Sequence, residues 1–476
     1  PGERYPLDGK LTRGRTTVNE APITGESLPV EKVPGDEVWA GTINGEGSVE
    51  FESTRSADHT VLAGIIRLVG EAQTRRAPVE RWVDRFARVY TPIVMALSVL
   101  TMVLPPMLAG EAWSTWLYRG LVLLVIACPC ALVISTPVSI VAGLANAARH
   151  GVLVKGGVFL EIPRRVRAVA LDKTGTVTHG RMEVVDLIPL DGNDAAGVLS
   201  RAAALELRSD HPVARAIVRH AASRGELPPP AEDVRAAPGF GLEGRLDGRE
   251  VWVGSARMLE RPGRESAEAA RRFADLAEPG RTAVAVGEGA RVLGFVVLAD
   301  TLRAGARQAV GDLHAAGVGQ VVLMTGDRSE GAMRAASEAG IDEVRAELLP
   351  EQKVRVVEEL ESRFDTVAVA GDGINDAPAL ARADLGVAMG SIGSDAAIEA
   401  ADVALMTDDL TKLAWLIHHS RRTMRVVRQN IGFALGIKAV FVVLTYLGFA
   451  SLWAAIAADM GASLLVTVNG LRLLRD

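Results

Sequence analysis

The run Asp172-Lys173-Thr174-Gly175-Thr176 follows Val166 to Leu171, an apolar stretch that reads as a buried strand. A carboxylate at the carboxyl end of a strand, beside a glycine-bearing loop with exposed N–H groups, can attack phosphorus and be held by Mg²⁺. Two further strands end similarly. Val321 to Met324 leads into Thr325-Gly326-Asp327, and Val367 to Ala370 into Gly371-Asp372-Gly373-Ile374-Asn375-Asp376. Three such strand ends fit a parallel α/β sheet with its site on the carboxyl edge. Lys353, after Leu349-Pro350-Glu351-Gln352, supplies a point charge for phosphoryl oxygens. Any one Asp-Gly pair is an ordinary turn; the five-residue motif with both later strand ends points to phosphoryl transfer.

Cys128-Pro129-Cys130 holds both cysteines of the chain and offers a second chemistry. The proline removes a backbone hydrogen bond, opens a helix and turns two sulfurs toward one cavity. Thiolates select soft or borderline metals such as Cu(I) or Zn(II). The bland alternative is two inert, packed cysteines beside a kink. Cysteines on either side of one proline are poorly placed for a disulfide with each other, so none is expected.

These groups need very different settings. Of 476 residues, 49% are hydrophobic and 23% charged, which excludes a disordered chain and leaves material for about three domains. A net charge of −6 argues against a general nucleic-acid binder, and two cysteines exclude a disulfide scaffold. The apolar residues are concentrated. Val89 to Gly110 and Gly120 to Ala148 carry no charge, and Ile431 to Leu471 carries only Lys438 and Asp459, with a turn expected at Gly448 to Ser451. Four membrane spans are expected. Arg75, Arg76, Arg81, Arg85 and Arg88 precede the first span, Arg421, Arg422, Arg425 and Arg428 the third, and Arg472 and Arg475 follow the last. The positive-inside rule then puts residues 1–88, 149–428 and the C-terminus in the cytoplasm. The chain opens Pro1-Gly2-Glu3-Arg4, without methionine or signal peptide, and is expected to start inside a domain.

The phosphoryl-transfer motifs together resemble the P-type ATPases. By that resemblance Asp172 takes the γ-phosphoryl of ATP as an aspartyl-phosphate, Asp372 and the Thr174 carbonyl bind Mg²⁺, and Thr325, Lys353 and Asn375 hold the phosphoryl group. Asp327 is counted with the cofactor-binding residues. Soluble phosphatases of the same haloacid-dehalogenase-like fold generally carry a second acid two positions after the nucleophile. Thr174 stands there, so the aspartyl-phosphate lacks a local base. Glu26, in Thr24-Gly25-Glu26-Ser27, matches the actuator-domain glutamate that positions the hydrolytic water; the motif alone is more often a solvated turn. Glu206, His211 in Ser209-Asp210-His211-Pro212, and Gly239 and Gly241 resemble the nucleotide-binding domain of the heavy-metal branch, where the acid and histidine contact adenine and the glycines admit the nucleotide. Gly254 is a weaker member of the set.

Within the membrane, Lys438 and Asp459 are costly in lipid and should face the bundle interior. An oxygen ligand beside two thiolates suits Zn(II), Cd(II) or Pb(II), with Lys438 as a built-in counter-ion. A penultimate-span Lys and last-span Asp-x-Gly resemble the zinc/cadmium/lead subgroup. Asp459-Met460-Gly461-Ala462-Ser463 fails the copper subgroup's Met-x-x-Ser-Ser, which leaves copper(I) export as the runner-up.

The expected fold is a helical transmembrane bundle with a haloacid-dehalogenase-like α/β phosphorylation domain, an α+β nucleotide-binding insertion and a partial β-rich actuator domain. The expected divisions are 1–70 actuator, 71–148 first helix pair, 149–179 and 299–420 phosphorylation domain, 180–298 nucleotide-binding domain, and 421–476 second helix pair. The expected activity is ATP-driven, Mg²⁺-dependent export of zinc, cadmium or lead across a membrane, the plasma membrane in this reading. Beyond bilayer and metal, no nucleic acid or obligate protein partner is expected. The alternatives from other classes are a membrane-anchored phosphatase and a metal-sensing or storage protein. The resemblance implies four further N-terminal spans and the rest of the actuator domain ahead of Pro1.

Overall fold

A computed structural model describes residues 1–476 apart from 20–29, 46, 58–59, 61–76, 127, 191, 210, 238, 262–266, 277–279, 372–375, 390–400 and 476. Glu26, Asp372 and Asn375 lie outside the described residues. The chain forms two compact units: Pro1–Val169, Asp312–Gly319 and Val354–Asp476 make the first, Ala170–Gly311 and Gln320–Lys353 the second.

The first unit begins with six short strands, β1 (Gly9–Arg13), β2 (Thr16–Asn19), β3 (Val30–Lys32), β4 (Glu37–Val38), β5 (Ile43–Asn44) and β6 (Glu50–Ser53). They pair as two antiparallel three-stranded sheets, ordered β4-β1-β6 and β3-β2-β5. Alternate residues point inward, so Leu11, Val18 and Val38 join Tyr5 in one small core.

Three helices follow: α1 (Pro78–Ala109), α2 (Trp113–Ile126) and α3 (Cys130–Arg149). Proline at the first helical position costs α1 no hydrogen bond, and the helix ends at Gly110 in the left-handed region, φ 67°. Gly120 lets α2 approach α1 closely: Ser98 Oγ donates to the Gly120 carbonyl at 2.6 Å, and a Cβ there would strike the Met102 side chain. Between α2 and α3 the helix is interrupted just ahead of Pro129. Strand β7 (Val152–Val154) follows.

The second unit takes up the chain within β8 (Ala168–Asp172), all five of whose residues are buried. Next come β9 (Thr178–Pro189), α4 (Ala195–Glu206), α5 (Pro212–Ser223), β10 (Glu232–Ala237), β11 (Gly241–Leu246), β12 (Arg249–Gly254), β13 (Arg281–Glu288) and β14 (Arg291–Leu302). The strands make a six-stranded antiparallel sheet ordered β10-β11-β12-β13-β14-β9. The period-2 alternation of β12 divides its core: Val251 and Val253 pack with Leu199 and Ile217 of the helices, while Trp252 faces Met258, Phe273 and Phe295 on the other side. Strand β15 (Gln320–Met324) pairs in parallel with β16 (Glu343–Arg345), Val322 opposite Glu343.

Helix α6 (Pro350–Arg363) returns the chain to the first unit, where β17 (Val367–Gly371), β18 (Leu385–Ala388) and β19 (Val403–Leu405) run parallel and β7 closes antiparallel on β19. Helices α7 (Thr411–Tyr446) and α8 (Leu452–Leu471) complete it, joined by a turn with Gly448 at φ 80°. Among the described residues, four helical stretches are long and apolar enough to cross a membrane: Pro78–Ala109, Trp113–Arg149, Thr411–Tyr446 and Leu452–Leu474. They expose large apolar residues such as Ile93, Leu104, Val440 and Leu464, as lipid-facing helices do. Helix α7 extends well beyond its apolar run, carrying Arg421–Arg428 in continuous helix, because nothing between Thr411 and Tyr446 breaks it.

Trp252 is fully buried, and its Nε1 donates to the Gly289 carbonyl at 2.9 Å. Trp252→Ala should destabilise the second unit by about 4 kcal/mol through the cavity and the orphaned carbonyl, read as a lower urea midpoint in its unfolding transition.

Candidate phosphoryl-transfer and metal sites

Strand β8 ends at Asp172, and α6 carries Lys353 to it in a buried ion pair, Nζ to Oδ1 2.6 Å. Only 6% of Asp172 and 7% of Lys353 is accessible, so each charge depends on its partners in place of water. Asp327, after β15, pairs with Lys173, next to Asp172 in the chain. Thr325 is buried, and its Oγ1 accepts from the Asp327 N–H at 3.1 Å. Asp172, Lys353, Thr325 and Asp327 thus all belong to the second unit.

Two tethers that the sequence reading did not single out fix the Asp172 loop. Arg303 donates through Nη2 to the Gly175 carbonyl at 2.7 Å and through Nε to the Thr176 carbonyl at 3.0 Å. Thr178 Oγ1 donates to Asp300 Oδ2 at 2.6 Å. Within the loop they hold, Thr174 and Gly175 depart from helical geometry, Gly175 at φ 77°. The signal was present as Asp300-Thr301-Leu302-Arg303, a charged cluster at the end of an apolar strand.

The donors that would hold Mg²⁺ are hard oxygens, the Asp172 carboxylate and the Thr174 carbonyl, which suits that ion. Asp372, the third expected donor, lies outside the described residues.

In the six-stranded domain, Glu206 ends α4 and is 7% accessible. Burial pushes its pKa from the usual carboxylate value up to about 7, against a hydrogen bond from Ser209 that lowers it. Ser209 also accepts from the His211 N–H at 3.3 Å, tying the two residues to one turn. His211 caps α5, its Nδ1 accepting from Val213 N–H at 3.3 Å, so the neutral ring carries its proton on Nε2. Gly241 lies directly opposite Gly254 across β11 and β12, at φ 149°, and any Cβ there would collide with the Val253 carbonyl. These two glycines are therefore required by strand packing, quite apart from a nucleotide. Gly239, at φ 81°, sits in the exposed turn before β11.

In the membrane helices, α2 ends at Ile126 and α3 starts at Cys130. Lys438, in α7, donates to the Ile126 carbonyl at 3.0 Å, to the Cys128 carbonyl, and to Asp459 Oδ1 of α8 at 3.0 Å. One ammonium thus caps carbonyls beside the broken helix and binds α8 to it. The expectation that these cysteines are poorly placed for a disulfide is corrected: Cys128 and Cys130 form one, their Cα atoms 5.3 Å apart. Residues two apart on a helically turning backbone have their Cα atoms about 5.4 Å apart, inside disulfide range, so the proline between them is no bar to the pairing. Among the described residues no three His, Cys, Asp or Glu side chains converge as a metal site. The sulfurs engage each other, and Asp459 engages Lys438.

Residues 166–384 match the haloacid dehalogenase-like hydrolase family and residues 1–70 the P-type ATPase actuator domain. The whole chain aligns at 43% identity over 485 residues with a probable cadmium-transporting ATPase of Listeria monocytogenes, covering 68% of it. It also covers all but 23% of a crystallised zinc-transporting PIB-type ATPase in the E2.Pi state, which has 45% identity, TM-score 0.71 and 77% of its own chain matched. The chain belongs to the heavy-metal branch of the P-type ATPases. Among other members of this branch, the zinc/cadmium/lead-transporting P-type ATPase of Escherichia coli strain K12 is 46% identical over 475 residues. This P-type ATPase chain spans about two thirds of the length of the curated relatives it matches, 64% and 68% for the two named.

Glu206 provides a test that needs no turnover. Its folded pKa of about 7 lies above the unfolded carboxylate value, so folding favours the protonated form. Its contribution is fully present at low pH and is lost as pH rises through about 7. Glu206→Gln should therefore raise the thermal stability of this domain at pH 8, by up to about 3 kcal/mol, and change it little at pH 4.

Proposed function

We propose that the protein carrying this chain is an ATP-driven exporter of zinc, cadmium or lead that works through an aspartyl-phosphate on Asp172. The observation that carries the phosphoryl-transfer half is the buried Asp172–Lys353 pair at the end of β8, with Thr174 where a phosphatase would place its second acid.

An Asp172 carboxylate oxygen attacks the γ-phosphorus of ATP. The bond from that phosphorus to the β–γ bridging oxygen breaks, and its electron pair leaves with ADP. Lys353 and Thr325 take the phosphoryl oxygens as Asp172 gives up its charge, and Asn375 completes the cradle. Asp172, the Thr174 carbonyl and Asp372 would hold Mg²⁺, which when bound neutralises developing phosphate charge. The six-stranded domain binds the nucleotide, Glu206 and His211 at the base and Gly239 and Gly241 near the phosphates, while Asp327 sits on the nucleotide side of the nucleophile. Because Thr174 has no acid–base function, dephosphorylation needs Glu26 to take a proton from the water that displaces Asp172. Arg303 and the Thr178–Asp300 bond position the Asp172 loop.

In the membrane, reduced Cys128 and Cys130 supply thiolates and Asp459 an oxygen to the cargo metal, a mixed set that suits zinc, cadmium or lead. When metal leaves, Lys438 neutralises Asp459, the contact present here. The names of the relatives, which include zinc, cadmium and lead transporters, support the same subgroup. The four spans hold the chain in a membrane, with its basic flanks placing the large domains and C-terminus in the cytoplasm.

Full-length protein reduced with a thiol should show ATPase activity stimulated by Zn(II), Cd(II) and Pb(II). Asp172→Asn should form no acid-stable phosphoenzyme from ATP. Phosphoenzyme in that variant would defeat the mechanism, and stimulation by Cu(I) alone would move the protein to the copper subgroup. Arg303→Ala should slow phosphoenzyme formation by roughly tenfold or more through a misplaced nucleophile loop, in a rapid-quench measurement.

A further inference from the structure

Within the first unit, where α1 begins and α7 approaches its apolar run, lies a cavity of about 510 Å³ lined by Arg164, Arg421, Met424, Arg425, Arg428 and Gln429. A second, of about 350 Å³, shares Arg164, Met424 and Arg428 with it and adds apolar surface from Pro78, Trp82 and Val427. Four guanidinium groups therefore line one cavity. Glu161, on the edge of the second, is committed to Arg164 at 2.8 Å and to the Val79 N–H at 3.2 Å. Among the described residues no carboxylate pairs with Arg421, Arg425 or Arg428. Like charges so close repel unless an anion lies among them.

Position along α7 says where that anion comes from. Arg428 and Arg421 precede the uncharged stretch that opens at Ile431 by three and ten residues. At a helical rise of 1.5 Å per residue they stand about 5 to 15 Å outside the hydrocarbon, the depth of the head-group layer. The charged cavity also adjoins the second, whose lining adds apolar side chains including Trp82, a residue type that favours the membrane interface. A soluble anion would use only the arginines; a lipid would use both cavities.

We propose that this pair of cavities binds the phosphodiester head group of an anionic phospholipid, the phosphate among Arg421, Arg425 and Arg428 and the glycerol and upper acyl carbons against Trp82, Met424 and Val427. The site is on the face that the arginine-rich flanks assign to the cytoplasm, and the proposal is independent of the transport reading.

The test uses the full-length protein in nanodiscs of phosphatidylcholine with graded phosphatidylglycerol, followed by native mass spectrometry of lipids retained on release. The parent should retain phosphatidylglycerol over phosphatidylcholine. The triple variant R421Q/R425Q/R428Q should lose at least about tenfold of that preference. Gln429→Glu, a milder change that puts an acid into the cavity, should reduce it as well and covers the case in which the triple variant fails to fold. R472Q/R475Q removes basic residues on the same side outside the cavity and should leave the preference intact. Unchanged preference in Gln429→Glu, an equal loss in R472Q/R475Q, or displacement of the lipid by millimolar glycerol phosphate would each overturn the proposal, the last by showing a soluble-anion site.

Discussion

A carbonyl within a hydrocarbon layer must find a donor inside the protein, because no water is there to supply one. Pro129 makes that constraint acute: it interrupts the second span between Ile126 and Cys130 and leaves backbone groups without helical partners. Lys438 supplies the donors. By bonding the Ile126 and Cys128 carbonyls and Asp459 together, it joins α2, α7 and α8 at one point. The lysine is buried and charged, which is costly unless all its protons are used. Here three acceptors converge on it. The break around Cys128-Pro129 is thus held by an ammonium whose charge the Asp459 carboxylate balances.

The second unit meets a comparable problem with a different solution. Asp172 is buried at the end of β8, and a buried carboxylate is costly unless a partner balances its charge. Lys353 supports that charge, and the Lys173–Asp327 pair keeps the neighbouring lysine occupied elsewhere. The loop after Asp172 has no regular secondary structure to set its path. Arg303 and Asp300 do so from the end of β14, on the far side of a long insertion in the chain. The helices and four strands between β9 and β14 can therefore be inserted while the start of β9 and the end of β14 remain anchored at the Asp172 loop.

Motifs with local logic were legible. Strand ends carrying Asp172 and Thr325 could be read because a buried strand is a short apolar run and its loop follows directly. The membrane runs were legible because charge is excluded from hydrocarbon. Other features depended on long-range pairing. Arg303 reads as one more surface arginine until the fold brings it to Gly175. Gly241 reads as a nucleotide-loop glycine, and pairing with Gly254 shows that the sheet itself forbids a side chain there. The pairing of Cys128 with Cys130 was misjudged because spacing alone does not say whether the backbone between two residues turns or runs extended, and only a turning one brings the Cα atoms within disulfide range.

The residues by themselves determined the chemistry available: a strand-end aspartate with no second acid two positions on, two sulfurs about a proline, and two charges in an apolar stretch. They did so because side-chain type, hydrophobic period and charge exclusion act locally. Tertiary structure decided which of these groups meet. Lys438 could have snorkelled to the interface, and only the packing of α7 and α8 against the broken span turns it inward to Asp459. Likewise Arg421, Arg425 and Arg428 are an ordinary basic flank in sequence, and become a lined cavity only where α7 passes Arg164 and the start of α1. Such convergence depends on distances between segments hundreds of residues apart, which no local pattern encodes.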